Sequence, residues 1–142
     1  MTRQPPGTRA QYHDFRIMPT RWMDNDEYGH MNNATYLSLV DTAVSLWQMD
    51  QGLTIRGADA LHFLVVESGC RYHAEVGFPD EIHAGIRIAH LGRSSMRFEV
   101  GLFRNTDDQA STEAFFTQVY TQHGSPAPIP DHARKVFQTI LV

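Results

Sequence analysis

The 142-residue sequence predicts an α+β domain in which an antiparallel sheet carries one long helix on a single face. Two patterns predict it. One segment, starting at Asn32 or Asn33 and running to Gln51, is apolar over so wide a surface that a helix there must be largely buried. Four segments after Gly57 instead favour strand residues, alternate at period two and are separated by Gly-, Pro- or Asp-rich turns, as strands with one buried face do.

Residues 1–10, with Pro5-Pro6-Gly7, read as a mobile tail. Residues 12–22 read as a first strand, interrupted near Pro19. In the helical segment an asparagine is a good N-cap and Gly52 a good terminator. Leu37, Val40, Val44 and Trp47 make one apolar stripe, with Tyr36, Leu39, Ala43 and Leu46 beside it. The later strands are expected at 61–74, 80–91, 94–105 and 110–123. In the second of these Ile82, Ala84, Ile86 and Ile88 alternate with His83, Gly85, Arg87 and Ala89, and in the third Met96, Phe98, Val100 and Leu102 alternate with Arg97, Glu99, Gly101 and Phe103. Residues 124–130 read as an extended linker, followed by a short helix over 131–139.

The length suits one domain spanning 1–142, and 42% hydrophobic with 20% charged residues is an ordinary soluble composition. A net charge of −4 argues against a nucleic-acid partner, which a basic patch would announce. No stretch is apolar enough for a signal peptide or a membrane span, so a cytoplasmic location is expected. Cys70 is the single cysteine, which excludes an internal disulfide, and its apolar strand setting suggests a buried, inert thiol. The eight histidines form no H-x-H, H-x-x-x-H or H-E-x-x-H pattern, so no metal site and no cofactor are expected. A Gly-x-Ser-x-Gly elbow is absent too, which argues against a serine hydrolase.

The chemistry concentrates between Arg21 and Asn33. Asp24, Asp26 and Glu27 place three acids in four residues, followed by Gly29, His30, Asn32 and Asn33, directly before the long apolar run. Such a loop delivers a carboxylate to a helix N-terminus, where unpaired backbone N–H groups and the positive dipole end favour negative charge. A carboxylate beside such donors is able to attack a carbonyl, or to activate water to do so, while the donors stabilise the oxyanion. The bland alternative is that these acids are solvated or cap the helix, and that Asn32 and Asn33 serve only as caps.

The pattern Asp24-x-Asp26-x-x-Gly29-His30-x-Asn32-Asn33-x-x-Tyr36 resembles the signature of hot-dog-fold acyl thioesterases, the group of 4-hydroxybenzoyl-CoA thioesterase and the plant acyl-carrier-protein thioesterases. The resemblance implies a curved sheet of about five strands wrapped around the long helix. It also implies a homodimer or homotetramer, and hydrolysis of an acyl-CoA or acyl-carrier-protein thioester. It makes Asp26 the catalytic carboxylate, as nucleophile or general base, and Asp24 a structural acid. By position Asn33 supplies the backbone amide that polarises the thioester carbonyl. His30 matches a catalytic histidine of the plant-type members, with a loop-fixing role as the alternative reading. Tyr28 stands where those members carry an asparagine, which leaves it, beside Gly29, as a candidate wall of the acyl pocket. The turn Gly92-Arg93-Ser94-Ser95 aligns with one that contacts the CoA phosphates in the family, making Arg93, Ser94 and Ser95 candidate binding residues, with further positive charge from Arg134 and Lys135. A hot-dog hydratase or dehydratase and a non-catalytic acyl-CoA-binding module are the rival functions.

Overall fold

A computed structural model describes residues 3–142. The elements are β1 (Asp14–Pro19), α1 (Asn33–Asp50), β2 (His62–Tyr72), β3 (Glu81–Leu91), β4 (Ser95–Arg104), β5 (Thr112–Gln122), a two-residue β6 (Ser125–Pro126) and α2 (Asp131–Gln138). The sheet runs β1-β3-β4-β5-β2, all neighbours antiparallel, with β6 paired to β5. It curves around α1 as in the hot-dog fold. Register breaks at Val65/Glu67 and Ile88/His90 contribute to that curvature, because a bulge bends its strand and increases the local twist.

The period-two alternation sorts the side chains as expected. Ile82, Ala84, Ile86 and Ile88 of β3, with Met96, Phe98, Val100 and Leu102 of β4, are fully buried on the helix side. They meet Tyr36, Leu39, Val40, Ala43, Val44 and Trp47 of α1 in a single core. Gln48 is a polar exception on this helix. It is buried and its amide donates to Gln118 Oε1 of β5 at 3.3 Å, so neither amide faces the core unpaired.

The convex face is shielded by the chain start. Residues 8–11, read from the sequence as the end of a tail and the approach to β1, are tied to the sheet: Thr8 bridges Gln109, and Arg9 donates to the carbonyls of Asp107 and Asn105, both at 2.7 Å. Residues 1–2 of that stretch lie outside the described residues. Tyr12 lies across the sheet so closely that a Cβ on Gly101 would come within 2.7 Å of its ring, which explains a glycine in mid-strand.

The region expected to be a linker folds back. Ile129 N–H donates to Arg93 O at 2.9 Å, and the Arg134 guanidinium donates to the carbonyls of Gly92 (2.8 Å) and Arg93 (3.0 Å). This seats α2 against the core beside Trp47 of α1, where Phe137 contacts Trp47, Phe98 and Phe63 at centroid distances of 6.3, 5.9 and 5.6 Å. Phe137→Ala should cost about 3–5 kcal/mol, the range for deleting a buried phenylalanine. Urea unfolding should show that loss as a lower midpoint at unchanged slope.

Candidate active site

Between β1 and α1 the chain is folded by its own polar side chains. Asp24 is buried and accepts from Arg21 N (2.7 Å) and from the Arg21 guanidinium (2.9 and 3.1 Å), while its carbonyl accepts Asn32 N–H at 2.9 Å. Those bonds make Asp24 a structural acid that closes the loop. Asp26 N–H donates to His30 O at 2.7 Å, and Asp26 Oδ1 accepts from Tyr28 N (2.9 Å) and His30 N (3.3 Å). Gly29 adopts φ +80°, the left-handed region in which a Cβ is strained, and so allows the reversal. One carboxylate oxygen of Asp26 is thus spent on fixing its own loop, and Oδ2 has no hydrogen bond among the described residues.

Helix α1 begins immediately afterwards. Asn32 is the N-cap, its Oδ1 accepting Ala34 N–H at 2.9 Å. Asn33 is the first helical residue, so its N–H has no acceptor within the helix and remains available at the positive end of the dipole. Asp26, His30, Met31, Asn32, Asn33 and Tyr36 line one cavity of about 450 Å³ at this helix end. Carboxylate, histidine and helix-terminal amide therefore share one space.

The opposite wall comes from the end of β2 and the chain after it, at Tyr72, His73, Ala74 and Glu75. It is pinned on both sides, by Ala74 N–H to Ser111 O (3.0 Å) and Met31 N–H to Val76 O (2.8 Å). Glu75 Oε2 meets His30 Nε2 at 2.9 Å. That contact fixes the orientation of the His30 ring against the opposite wall. His73 is nearly buried and pairs with Glu113 at 2.6 Å, a contact that fastens the end of β2 to β5. Arg3 reaches the rim and donates to the Tyr72 carbonyl. Burial pushes the Tyr36 phenol above its ordinary pKa, so it stays neutral. Sequence reasoning did not single out Glu75 or Tyr72. No motif spacing links them to the loop, since only the β2–β5 ladder and the return of the chain bring them there.

The remaining predicted residues lie elsewhere. Tyr28 is 75% exposed and stands outside the cavity, because the turn at Gly29 sends His30 inward and the preceding side chain outward. Gly29 borders a smaller pocket with His30, Glu75 and Phe78. Arg93, Ser94 and Ser95 sit at the β3–β4 turn, beside the start of β2: Ser95 and Leu64 both pair with Val119. The cavity lies at the other end, where Tyr72 and Leu102 both pair with Thr112. β2 is 11 residues long, so the two ends are roughly 30 Å apart. Within one chain the 92–95 turn and Asp26 do not meet. The Arg134 guanidinium is bound to that turn's carbonyls, so it clamps the turn. Among the described residues no three His, Cys, Asp or Glu side chains gather as a metal site, and no helix is long and apolar enough to cross a membrane.

A family model described as the thioesterase-like superfamily matches residues 20–137. Among solved structures, the PA5185 protein of Pseudomonas aeruginosa is 39% identical with TM-score 0.90, covering 96% of this chain and 97% of its own. A Thermus thermophilus thioesterase, solved with coenzyme A and zinc, is 27% identical with TM-score 0.72 over 89% of this chain and 92% of its own. A 1,4-dihydroxy-2-naphthoyl-CoA thioesterase from Synechocystis shares the fold, with TM-score 0.78 at 14% identity, over 87% of this chain and 94% of its own. No curated protein matches the chain.

Asp24→Asn keeps the shape but loses the charge that holds Arg21. Weakening a hydrogen-bonded buried carboxylate should cost about 1–3 kcal/mol. A thermal melt should therefore fall, while the folded fraction keeps most of its turnover.

Proposed function

The chain belongs to the thioesterase-like superfamily, and from that premise we propose that it hydrolyses an acyl-CoA thioester, or an acyl-carrier-protein thioester, at Asp26. One observation carries the reading: the Asp26 carboxylate and the first amide of α1 face the same cavity. The relation to a thioesterase solved with coenzyme A supports CoA as the carrier.

In this reading the thioester carbonyl oxygen points at the Asn33 N–H. The amide and the helix dipole hold the negative charge that develops there, the kind of donor worth about 3 kcal/mol of transition-state stabilisation. Asp26 Oδ2 then either adds to the carbonyl carbon or takes a proton from a water that adds. Addition by the carboxylate expels the thiolate and leaves a mixed anhydride, which water cleaves to regenerate Asp26 and release the acid. Addition by water gives the acid directly as the C–S bond breaks. In either route the departing sulfur needs a proton. His30, with Glu75 on its Nε2, is placed to hold that proton. No cofactor enters the scheme.

Release of thiol from a panel of short, long and aromatic acyl-CoAs tests the activity. Asp26→Asn preserves size and hydrogen bonding but removes the anionic oxygen. It should lower kcat by at least about a hundredfold, the lower bound for a positioned base, with the fold intact by circular dichroism. A folded variant that keeps most of its kcat would refute the role of Asp26.

We also infer a homodimer. β2 is an outer strand of the sheet and exposes Leu64 (53%), Val65 (46%) and Val66 (62%), an unprotected apolar edge. Pairing β2 with the β2 of a second copy about a two-fold axis covers it, and antiparallel pairing sets the start of one strand beside the end of the other. The partner's Arg93 then approaches the cavity that Arg93 of the same chain does not reach. A dimer of such dimers would be the tetramer. Val65→Lys should shift light scattering from dimer to monomer. Arg93→Ala should leave the dimer intact and raise KM several-fold for acyl-CoA, since an exposed ionic contact is worth up to about 1 kcal/mol. The KM of a short acyl thioester lacking the nucleotide should not change. A monodisperse active monomer would overturn the dimer, and an unchanged KM would remove Arg93 from the site.

A further inference from the structure

The hydrolytic step leaves one wall of the cavity without a role. Tyr72, the last residue of β2, stands edge-on to Tyr36 of α1, with ring centroids 4.9 Å apart and planes at 72°. The two rings differ in how they are held. Tyr36 is 5% exposed and belongs to the main core, whereas Tyr72 is 41% exposed at the end of an outer strand. The Tyr72 hydroxyl lies 3.5 Å from the Asn33 carbonyl, longer than an effective O–H···O bond, and also meets the Cys70 thiol. Packing, more than the hydroxyl, holds this ring in place.

What lies behind the ring decides what it can do. Side chains two apart on a strand share a face, so Cys70 follows Tyr72 on the same side of β2. Their ladder partners on β5 are Ala114 and Thr112, both buried. Cys70 is half-buried, packs against the core beside α1, and does not line the cavity. The Tyr72 ring therefore fills the space between the cavity and Cys70 along the inner face of β2. Beyond Tyr36 the core is closed, with Val40, Val44, Ile82 and Val100 fully buried and close-packed.

We propose that Tyr72 is the stop that limits the length of the acyl group, so that the site takes short or compact acyl groups and turns longer chains away at the ring. This rests on the acyl-thioesterase reading above and assigns its substrate class. The acyl group lies against the Tyr36–Tyr72 pair, with its carbonyl at the Asn33 amide. A chain extended past that pair collides with the ring instead of reaching Cys70. The ring acts by bulk, and its hydroxyl is dispensable.

The test compares kcat/KM from acetyl- to dodecanoyl-CoA for the parent, Tyr72→Phe and Tyr72→Ala. The parent and Tyr72→Phe should prefer the same short chains. Tyr72→Ala should move the preference to longer chains, changing the long-to-short ratio roughly tenfold or more, as one or two added methylenes in an apolar pocket do. Tyr72→Leu serves the same purpose should the alanine variant unfold. An unchanged ratio in a folded alanine or leucine variant overturns the proposal, and so does a parent that already prefers the longest chains. A shift in Tyr72→Phe equal to that in Tyr72→Ala overturns it as well, because the hydroxyl would then be responsible.

Cys70 gives a readout independent of turnover. Burial pushes its thiol above the ordinary pKa, so little reactive thiolate is present in the parent. Maleimide labelling of Cys70 should be slow in the parent and in Tyr72→Phe, several-fold faster in Tyr72→Ala, and slowed again by a long-chain acyl-CoA thioether. Equal rates in all three proteins overturn the proposal. A parent that releases no thiol from any acyl-CoA sinks the hydrolase reading by itself, and the labelling pattern then still decides whether the Tyr72 ring shields Cys70 from the cavity.

Discussion

Everything in this fold follows from the need to hide α1. Val40, Ala43 and Val44 have no exposed surface and Trp47 almost none, so the helix has apolar side chains directed at several neighbours at once. A flat sheet covers only one stripe of a helix. A curved sheet, with Phe137 of α2 against Trp47, covers the apolar face of α1 and leaves Ser38, Asp41, Thr42 and Asp50 on the opposite side exposed. The two polar side chains that come inside with it are paired. Gln48 meets Gln118, and the Trp47 indole N–H donates to Asp14 at 2.7 Å. Leaving such buried groups unpaired would cost about 1–3 kcal/mol each.

Enclosing the helix has a chemical consequence. Its apolar face is covered by the sheet, and its N-terminal end opens on the cavity, where backbone polar groups meet solvent. A helix N-terminus carries unpaired donors and partial positive charge whatever the sequence. The loop before it needs only to present a carboxylate with a free oxygen. The bonds of Asp24 to Arg21 and of Asp26 Oδ1 to the Tyr28 and His30 amides set that geometry within a dozen residues. Local folding of the loop and burial of the helix are thus separate tasks that converge at one cavity.

The opposite wall has a different origin. Tyr72 and Glu75 reach the cavity because β2 pairs along its length with β5 and the chain returns beneath the loop. Tyr72 lies 46 and Glu75 49 residues from Asp26 in the chain. Their positions therefore depend on strand register, where a slip of one residue would reverse every side chain. The bulge at Val65/Glu67 lies in the same strand, so the placement of Tyr72 is a property of the whole ladder.

The amino-acid sequence by itself determined the elements and the half of the site that is local. The apolar run gave α1 its place, at Asn33–Asp50, and the alternation in β3 and β4 identified their buried faces. The Asp24–Tyr36 pattern located the loop, the N-cap and the family, because helix caps, turns and short polar contacts are decided by residues within a few positions of one another. Tertiary structure decided the rest. It sent Tyr28 outward and His30 inward, paired His30 with Glu75, hid Gln48 against Gln118, and held the 92–95 turn at the far end of the sheet from Asp26. None of these is written in spacing or composition, since each depends on which distant strand arrives alongside and in what register.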